Sequence, residues 1–471
     1  MIYLDYSATT PVDERVLDSF NKACLDYPGN PNSLHKLGVN NAHLIDDATN
    51  QIKKILGING MEVIYTSGAS ESNNTVIKGI CSKYGNRGKH IITSPFEHSS
   101  INAPLSYLAD KGFEVDFVKL NEDGTVSLDD LKSLIRDDTI LVSISSVNSE
   151  LGIRQPIEEI AKIVSNYPKC FFHSDMTQSI GKIKINMDNI DFVSFTAHKF
   201  FGLKGIGCLL KKESISIDPL IHGGKSTSIY RSGTPAAPLI VSLSKALRLA
   251  YDDFDNKYKK IEELNSYLRD EVSKIPGVFI NSTSKSIPQI LNMSIPTIKP
   301  ETMLHSLEEH DIYISTQSAC STGSISKAVM ALTGDEQRAG SSIRVSISYV
   351  TTKEEIDTFI KYFKESIDKL RLRWVMKIVR INAMWCSGCL SMKKVWNKIN
   401  EVYPDLDITT LDYDMDEEEV VKYNPGKILP IAIFYKNDKE VVRLNGEKSF
   451  EEIKDVIEEY KWKKLLNYLY F

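Results

Sequence analysis

The chain has 471 residues, more than one hydrophobic core usually supports, so two or three domains are expected. Its 57 basic and 62 acidic residues leave a formal charge of −5 with no long basic cluster, which argues against membrane and direct nucleic-acid partners. The longest apolar runs, such as 428–435, are too short for a membrane span, the start Met1-Ile2-Tyr3-Leu4-Asp5 has no basic region leading into an apolar stretch, and the seven cysteines are scattered apart from one close pair; a reducing, cytoplasmic location is expected.

In chain order, Leu44, Ile45, Ala48, Ile52, Ile55 and Leu56 recur at helical intervals, and Met61–Thr66 is a short, partly β-branched run ended by glycine, which predicts a helix leading into a strand. Further short apolar runs at 90–93, 139–147, 170–173, 191–196 and 206–210 are mostly separated by helix-length segments. That is the α/β pattern of a mostly parallel sheet covered by helices. Helical periodicity dominates from about Leu239, after which 289–295 and 343–348 read as strands of a smaller α+β lobe. Past Trp374 come a strand at 377–381, the turn Trp385-Cys386-Ser387-Gly388-Cys389, a helix carrying Leu390, Val395, Trp396 and Ile399, a strand at 406–411, an acidic helix at 416–423, strands at 428–434 and 441–444, and a last helix. There is no internal repeat or low-complexity tract.

Three features meet on one chemistry. Lys199 lies in Ser194-Phe195-Thr196-Ala197-His198-Lys199-Phe200-Phe201-Gly202, preceded by Asp175 and by the turn Ser67-Gly68-Ala69-Ser70. A pyridoxal phosphate site needs an amine to hold the aldehyde as a Schiff base, a carboxylate to keep the pyridine nitrogen protonated, and backbone N–H groups for the phosphate. Ligands of parallel sheets gather beyond the carboxyl ends of strands, where Ser67, Asp175 and Thr196 are expected. Each residue also has a plainer reading: a snorkelling surface lysine, a capped strand-to-helix turn, an aspartate capping the next helix, a hydrogen-bonded structural His98. Cys320 lies in Gln317-Ser318-Ala319-Cys320-Ser321-Thr322-Gly323-Ser324; a single cysteine is more often a small buried hydrophobe, but the small, polar composition here predicts an exposed loop, on which a thiol can act as a nucleophile.

The series Tyr3-Leu4-Asp5-Tyr6-Ser7-Ala8-Thr9-Thr10-Pro11, Asn30-Pro31-Asn32-Ser33-Leu34-His35, Thr66-Ser67-Gly68-Ala69-Ser70-Glu71-Ser72-Asn73, Glu97-His98, His173-Ser174-Asp175-Met176-Thr177-Gln178-Ser179, the lysine segment, Arg231-Ser232-Gly233-Thr234, Ser318-Ala319-Cys320-Ser321 and Ser341-Ser342-Ile343-Arg344 resembles the cysteine desulfurases, pyridoxal phosphate enzymes of the class V aminotransferase group, over about residues 1–371. The resemblance implies the aminotransferase-like fold of that group. It assigns phosphate contacts to Ser70, Thr196 and His198, with Thr234 reaching in from a second subunit, and so implies a homodimer. It places Asp175 under the pyridine nitrogen, Gln178 on the ring hydroxyl, His98 over the ring, Lys199 as Schiff-base lysine and Cα base, Arg344 on the carboxylate of L-cysteine, and Cys320 as the thiol that takes the sulfur as a persulfide and leaves alanine. Where the family usually has Asn-Asn-Glu, the chain has Asn148-Ser149-Glu150, so Ser149 stands in the substrate-binding position of an asparagine.

The tail resembles thioredoxin, with Pro430 at the cis-proline position. A half zinc site is the alternative for Cys386 and Cys389, but no second ligand pair accompanies them, and no metal is expected. Cys386, at the expected helix N-terminus, is the attacking thiol and Cys389 the resolving one. The central Ser387-Gly388 differs from thioredoxin's Gly-Pro, so no redox potential is carried over. The expected domains are 1–372, with a large part at about 12–250 and a small lobe from about 1–11 and 251–372, and 373–471. The expected activity is cysteine desulfuration with the sulfur passed on or released with the help of the fused pair, the recipient being an iron–sulfur scaffold or a tRNA-thiolation protein. A selenocysteine lyase or related lyase, and a thiol-exchange protein with a sulfur-binding front domain, are the alternatives.

Overall fold

A computed structural model of the chain describes residues 1–296, 298–316, 325–403, 406–426, 428–436 and 439–462. Cys320 lies outside the described residues. The chain divides into two compact units, one made of Met1–Lys274, Val278–Ser294 and Asp311–Asp357, the other of Ile275–Gly277, Ile295–His310 and Thr358–Phe471.

The first unit is built on seven strands: β1 (Met61–Thr66), β2 (His90–Thr93), β3 (Glu114–Phe117), β4 (Thr139–Ser143), β5 (Phe171–Asp175), β6 (Phe192–Thr196) and β7 (Gly207–Lys212). They lie in the order β1-β7-β6-β5-β4-β2-β3, and only β7 runs antiparallel to its neighbours. The inner strands β2, β4 and β6 are buried along their whole length, as the continuous apolar runs in the sequence require of a sheet covered on both faces. One core gathers Val142, Phe172, Val193 and Phe195 under the helix Ala237–Tyr251, and another sets Ile91, Leu141, Phe192 and Leu209 against α1 (Ala69–Tyr84) and α2 (Ser99–Ala109). The expected α/β fold is present. β3, half exposed at the sheet edge, is a strand that apolar runs alone do not reveal.

Two local features aim the site. A Cβ at Gly207 would meet the Gly68 Cα and the Phe195 carbonyl oxygen, each at 2.7 Å, so a glycine here lets the turn after β1 lie over β7. Just past the lysine, Phe201 has φ 64°, a left-handed conformation held by a bond from its N–H to Thr10 Oγ1 at 2.7 Å. A smaller antiparallel sheet, β8 (Phe279–Ile280), β9 (Ile290–Ser294) and β10 (Ser342–Ser346), carries Arg344 opposite Asn292.

The second unit contains a four-stranded sheet, β11 (Lys377–Asn382), β12 (Asp407–Asp412), β13 (Ile431–Lys436) and β14 (Lys439–Asn445), ordered β12-β11-β13-β14. β11 pairs parallel with β12 and antiparallel with β13. Helix α3 (Ser387–Val402) and the helix Phe450–Trp462 bury Met392, Trp396, Ile399, Ile453 and Ile457 against Ile378 and Phe434. The Leu429-Pro430 bond is cis.

Candidate active site

The carboxyl ends of β1, β2, β4, β5 and β6 converge, as the sequence leads one to expect. At the end of β5, Asp175 is almost fully buried, and its carboxylate accepts from Asn73 Nδ2 at 2.8 Å and from the Thr177 N–H at 2.9 Å. Asn73, on α1, also donates to Ser100 Oγ at 2.9 Å. Ser100 in turn reaches His98 Nδ1 through its hydroxyl at 2.8 Å and its N–H at 3.1 Å. The accepting Nδ1 places the proton of a neutral His98 ring on Nε2. Burial holds the His98 pKa below the usual imidazole value, and the Lys199 charge acts in the same direction. A relay thus runs Asp175–Asn73–Ser100–His98. Ser100 carries no distinguishing signal in the sequence and Asn73 only its place in the Thr66–Asn73 segment, since each acts only once three chain segments meet.

Lys199 closes the short turn after β6 and donates from Nζ to the carbonyls of Ser7 at 2.6 Å and Ala8 at 2.7 Å. Gln178 Nε2 donates to the same Ser7 carbonyl at 2.9 Å, and its Oε1 accepts from Lys182 Nζ at 2.5 Å, leaving one amide N–H for a ligand. Lys182 has its pKa driven well below the usual lysine range by burial, with the Lys199 and Arg344 charges acting the same way. His198 is pushed down to about 4, first by burial and then by Lys199, Lys204 and Lys182, and its Nδ1 lies 3.1 Å from Thr9 Oγ1.

At the phosphate end, α1 begins at Gly68 with no capping side chain. Ser70 lies exposed in its first turn, and Glu71 there accepts from Arg231 Nε at 3.0 Å. Thr196 is buried, its hydroxyl donating to the Ile206 carbonyl at 3.0 Å, so it serves a phosphate only by leaving that bond. Thr234 is exposed. On the opposite side, Arg344 is 2% exposed; Nη1 donates to the Ser149 carbonyl at 2.9 Å and Nη2 pairs with Asp5 at 2.8 Å, while Nε is buried without a partner. Ser149 therefore meets Arg344 through its backbone, a contact that survives the change from asparagine.

In the second unit, Cys386 caps α3, its Sγ accepting from the Cys389 N–H at 3.2 Å. Both thiols are 8% exposed and unbonded to each other. Burial pushes Cys389 up to about 11, with the neighbouring Cys386 adding to the rise and Arg380 opposing it. Around the pair, Met384, Trp385, Leu390 and Ile428 are exposed.

The family model Aminotransferase class-V matches residues 2–359, and the model Thioredoxin matches 357–459. The "Cysteine desulfurase IscS" of Dictyoglomus turgidum is 37% identical over 376 residues, which cover 79% of this chain and 95% of that protein. The protein of the same name from Glaesserella parasuis is 40% identical over 386 residues, covering 79% and 93%. The chain belongs to the cysteine desulfurases of the class V aminotransferase family. Among solved structures, a "NIFS-LIKE PROTEIN" superposes with a TM-score of 0.74 at 34% identity, covering 78% of this chain and 99% of its own; "SspA in complex with cysteine" gives 0.66 at 30% identity, covering 75% and 100%.

Members of this family use pyridoxal phosphate, and the residues present fit it. The uncapped start of α1 offers N–H donors and the positive end of a helix dipole to a phosphate. Ser7 Oγ, Asn73 Oδ1, Thr177 Oγ1 and Arg344 Nε are buried here without hydrogen-bond partners, which marks a site shaped for a polar guest.

Proposed function

We propose that the chain removes sulfur from L-cysteine, forming L-alanine and holding the sulfur as a persulfide on Cys320. The observation that carries this reading is the Asp175–Asn73–Ser100–His98 relay beside Lys199, which sets an acid, an imidazole and an amine beyond the carboxyl ends of one sheet's inner strands. Ser70, Thr196 and His198, with Thr234 of a second copy, would hold the phosphate; Asp175 would take the ring N–H, Gln178 the ring hydroxyl, and His98 would lie over the ring. Bound at Lys199, the cofactor supplies an electron sink conjugated to the substrate's Cα. Arg344 takes the substrate carboxylate with its spare Nε, positioned by Asp5 and the Ser149 carbonyl. Lys199 removes the Cα proton, and the Nε2 proton of His98 is the one delivered near the substrate.

The Cys320 thiolate attacks the substrate sulfur. An S–S bond forms as the C–S bond breaks, the electron pair goes to carbon, and protonation yields alanine. Release of that sulfur as sulfide needs two electrons, and the Cys386–Cys389 dithiol supplies them, becoming a disulfide that an external dithiol resets. We place the two functions in residues 1–372 and 373–471, in a cytoplasmic homodimer. Exposed Leu220, Ile221 and Ile229 near Thr234 support an interface on that loop, and no described helix is long and apolar enough to cross a membrane. The test is spectroscopic and kinetic. Lys199→Ala is expected to lose the visible band of the bound cofactor and all turnover, whereas Cys320→Ser keeps the band and binds cysteine but makes no persulfide. Full desulfuration by Cys320→Ser would rule out the role given to that thiol.

A further inference from the structure

Arg380 stands in the middle of β11, one of the two inner strands of the second sheet, opposite Thr410 and Ala432. Strand alternation puts it on the face of Ile378, which packs on Met392, Trp396 and Ile399 of α3, while Val379 and Ile381 face the other core. Its guanidinium carbon lies 4.6 Å from the centre of the Trp396 ring, and Trp396 is 2% exposed. Cys389 belongs to the same buried face of α3 as Met392, Trp396 and Ile399. The Arg380 Nε is buried with no hydrogen-bond partner, and no carboxylate pairs with the side chain among the described residues. Arg380 is half-buried, and holding its Nε out of water without a partner costs stability that an aliphatic residue at this strand position would not. Burial pushes the Arg380 pKa down to about 10, and the one charge pulling it back is that of Cys389.

We propose that Arg380 belongs to the thiol site, where its guanidinium stabilises negative charge on Cys389 as that thiol attacks the Cys386 sulfur. The inference rests on the reading of Cys386 and Cys389 as a redox pair. In the step it serves, the Cys389 thiolate attacks Sγ of a Cys386 persulfide. The Cys386–Cys389 bond forms as the outer S–S bond breaks, and hydrosulfide leaves with the electron pair, so the dithiol is oxidised by two electrons and the outer sulfur reduced. The other charged or titratable groups facing the pair are Glu447, whose carboxylate lies against Gly388, Lys448 beside it, Asp414, which accepts from the Trp385 indole at 2.7 Å, and Tyr413. Arg380, over Trp396, faces the side of α3 that also carries Cys389.

The experiment uses the full chain in a Cys386→Ser background, with the pH profile of Cys389 alkylation by iodoacetamide read from peptides by mass spectrometry. Arg380→Gln is expected to raise the midpoint by about one unit or more, and Arg380→Lys to restore most of it. With Cys386 intact, the same change slows hydrosulfide release about threefold per unit, because a more basic thiolate regains part of the lost reactivity. Arg380→Met is expected to match or exceed the parent's Tm, as a purely structural arginine would not allow. An unchanged or lowered midpoint in folded Arg380→Gln overturns the assignment. So does failure of both the Gln and the Met variants to fold. Diamide treatment of the unmutated chain tests the parent reading by itself: absence of a Cys386–Cys389 disulfide removes the redox pair, whereas the alkylation comparison is scored without Cys386.

Discussion

Glu97, next to His98, ties two loops of the site together: it accepts from Ser94 Oγ at 2.6 Å, from the Ser145 N–H at 2.9 Å and from the Ser145 hydroxyl. Burial pushes its pKa up from 4.5 to about 7; the serine hydrogen bonds oppose this and the Asp175 charge adds to it. A carboxyl group with a raised pKa binds its proton more tightly in the fold, so its stabilisation is complete below about 4.5 and declines as pH rises to about 7. Glu97→Gln removes that slope. The stability of the variant relative to the parent is expected to increase by on the order of 2 kcal/mol between these limits, measured by urea unfolding at a series of pH values. Parallel profiles would mean that Glu97 is not held in this way. At this scale the sequence is readable where chemistry names a residue type: an amine at Lys199, an acid at Asp175, a guanidinium at Arg344. It gives Asp5 and Asn73 only as members of recognised segments and is silent on Ser100 and Arg380, because a polar side chain's partner is set by folding; Asn73 and Asp175 meet across 102 positions.

Among the elements, β4, β5 and β6 are stitched by His173, whose ring nitrogens lie 2.9 Å from Ser143 Oγ and 2.9 Å from Ser194 Oγ. Burial pushes its pKa down to about 4, with Asp175 opposing. A depressed imidazole stabilises the fold above the unfolded value of 6.5 and loses that contribution as pH falls towards 4, the opposite sign to Glu97. His173→Gln is expected to flatten part of the acid loss of Tm between pH 6.5 and 4; His198, shifted the same way, keeps the rest. An unaltered acid limb would contradict a neutral, doubly bonded ring. Strand positions were legible because buried parallel strands are continuous apolar runs, but their ends were not. The run 139–147 stays buried throughout, yet the strand stops at Ser143, since the following residues turn to serve Glu97 and Asp175. The exposed edge strand β3 has too little apolar signal to be read at all.

For the molecule as a whole, two family models meet near residue 357, so one chain carries both a sulfur-extracting fold and a dithiol. Tethering keeps the second thiol site at high local concentration. Deletion of the segment after Arg373 is therefore expected to leave alanine formation intact with added dithiothreitol and to abolish sulfide release without it; undiminished release without reductant would separate the two functions. The proposed sharing of sites between two copies makes a further prediction: loss of cofactor and dissociation into monomers should occur together in sedimentation experiments, and a monomer fully loaded with cofactor would contradict the role proposed for Thr234. The most direct measurement of the central claim is a single turnover with L-cysteine, quenched and digested for mass spectrometry. The account predicts one alanine per site and one added sulfur atom on the peptide containing Cys320. Alanine formed at the full rate with that peptide unmodified, and equally in Cys320→Ser, would contradict it.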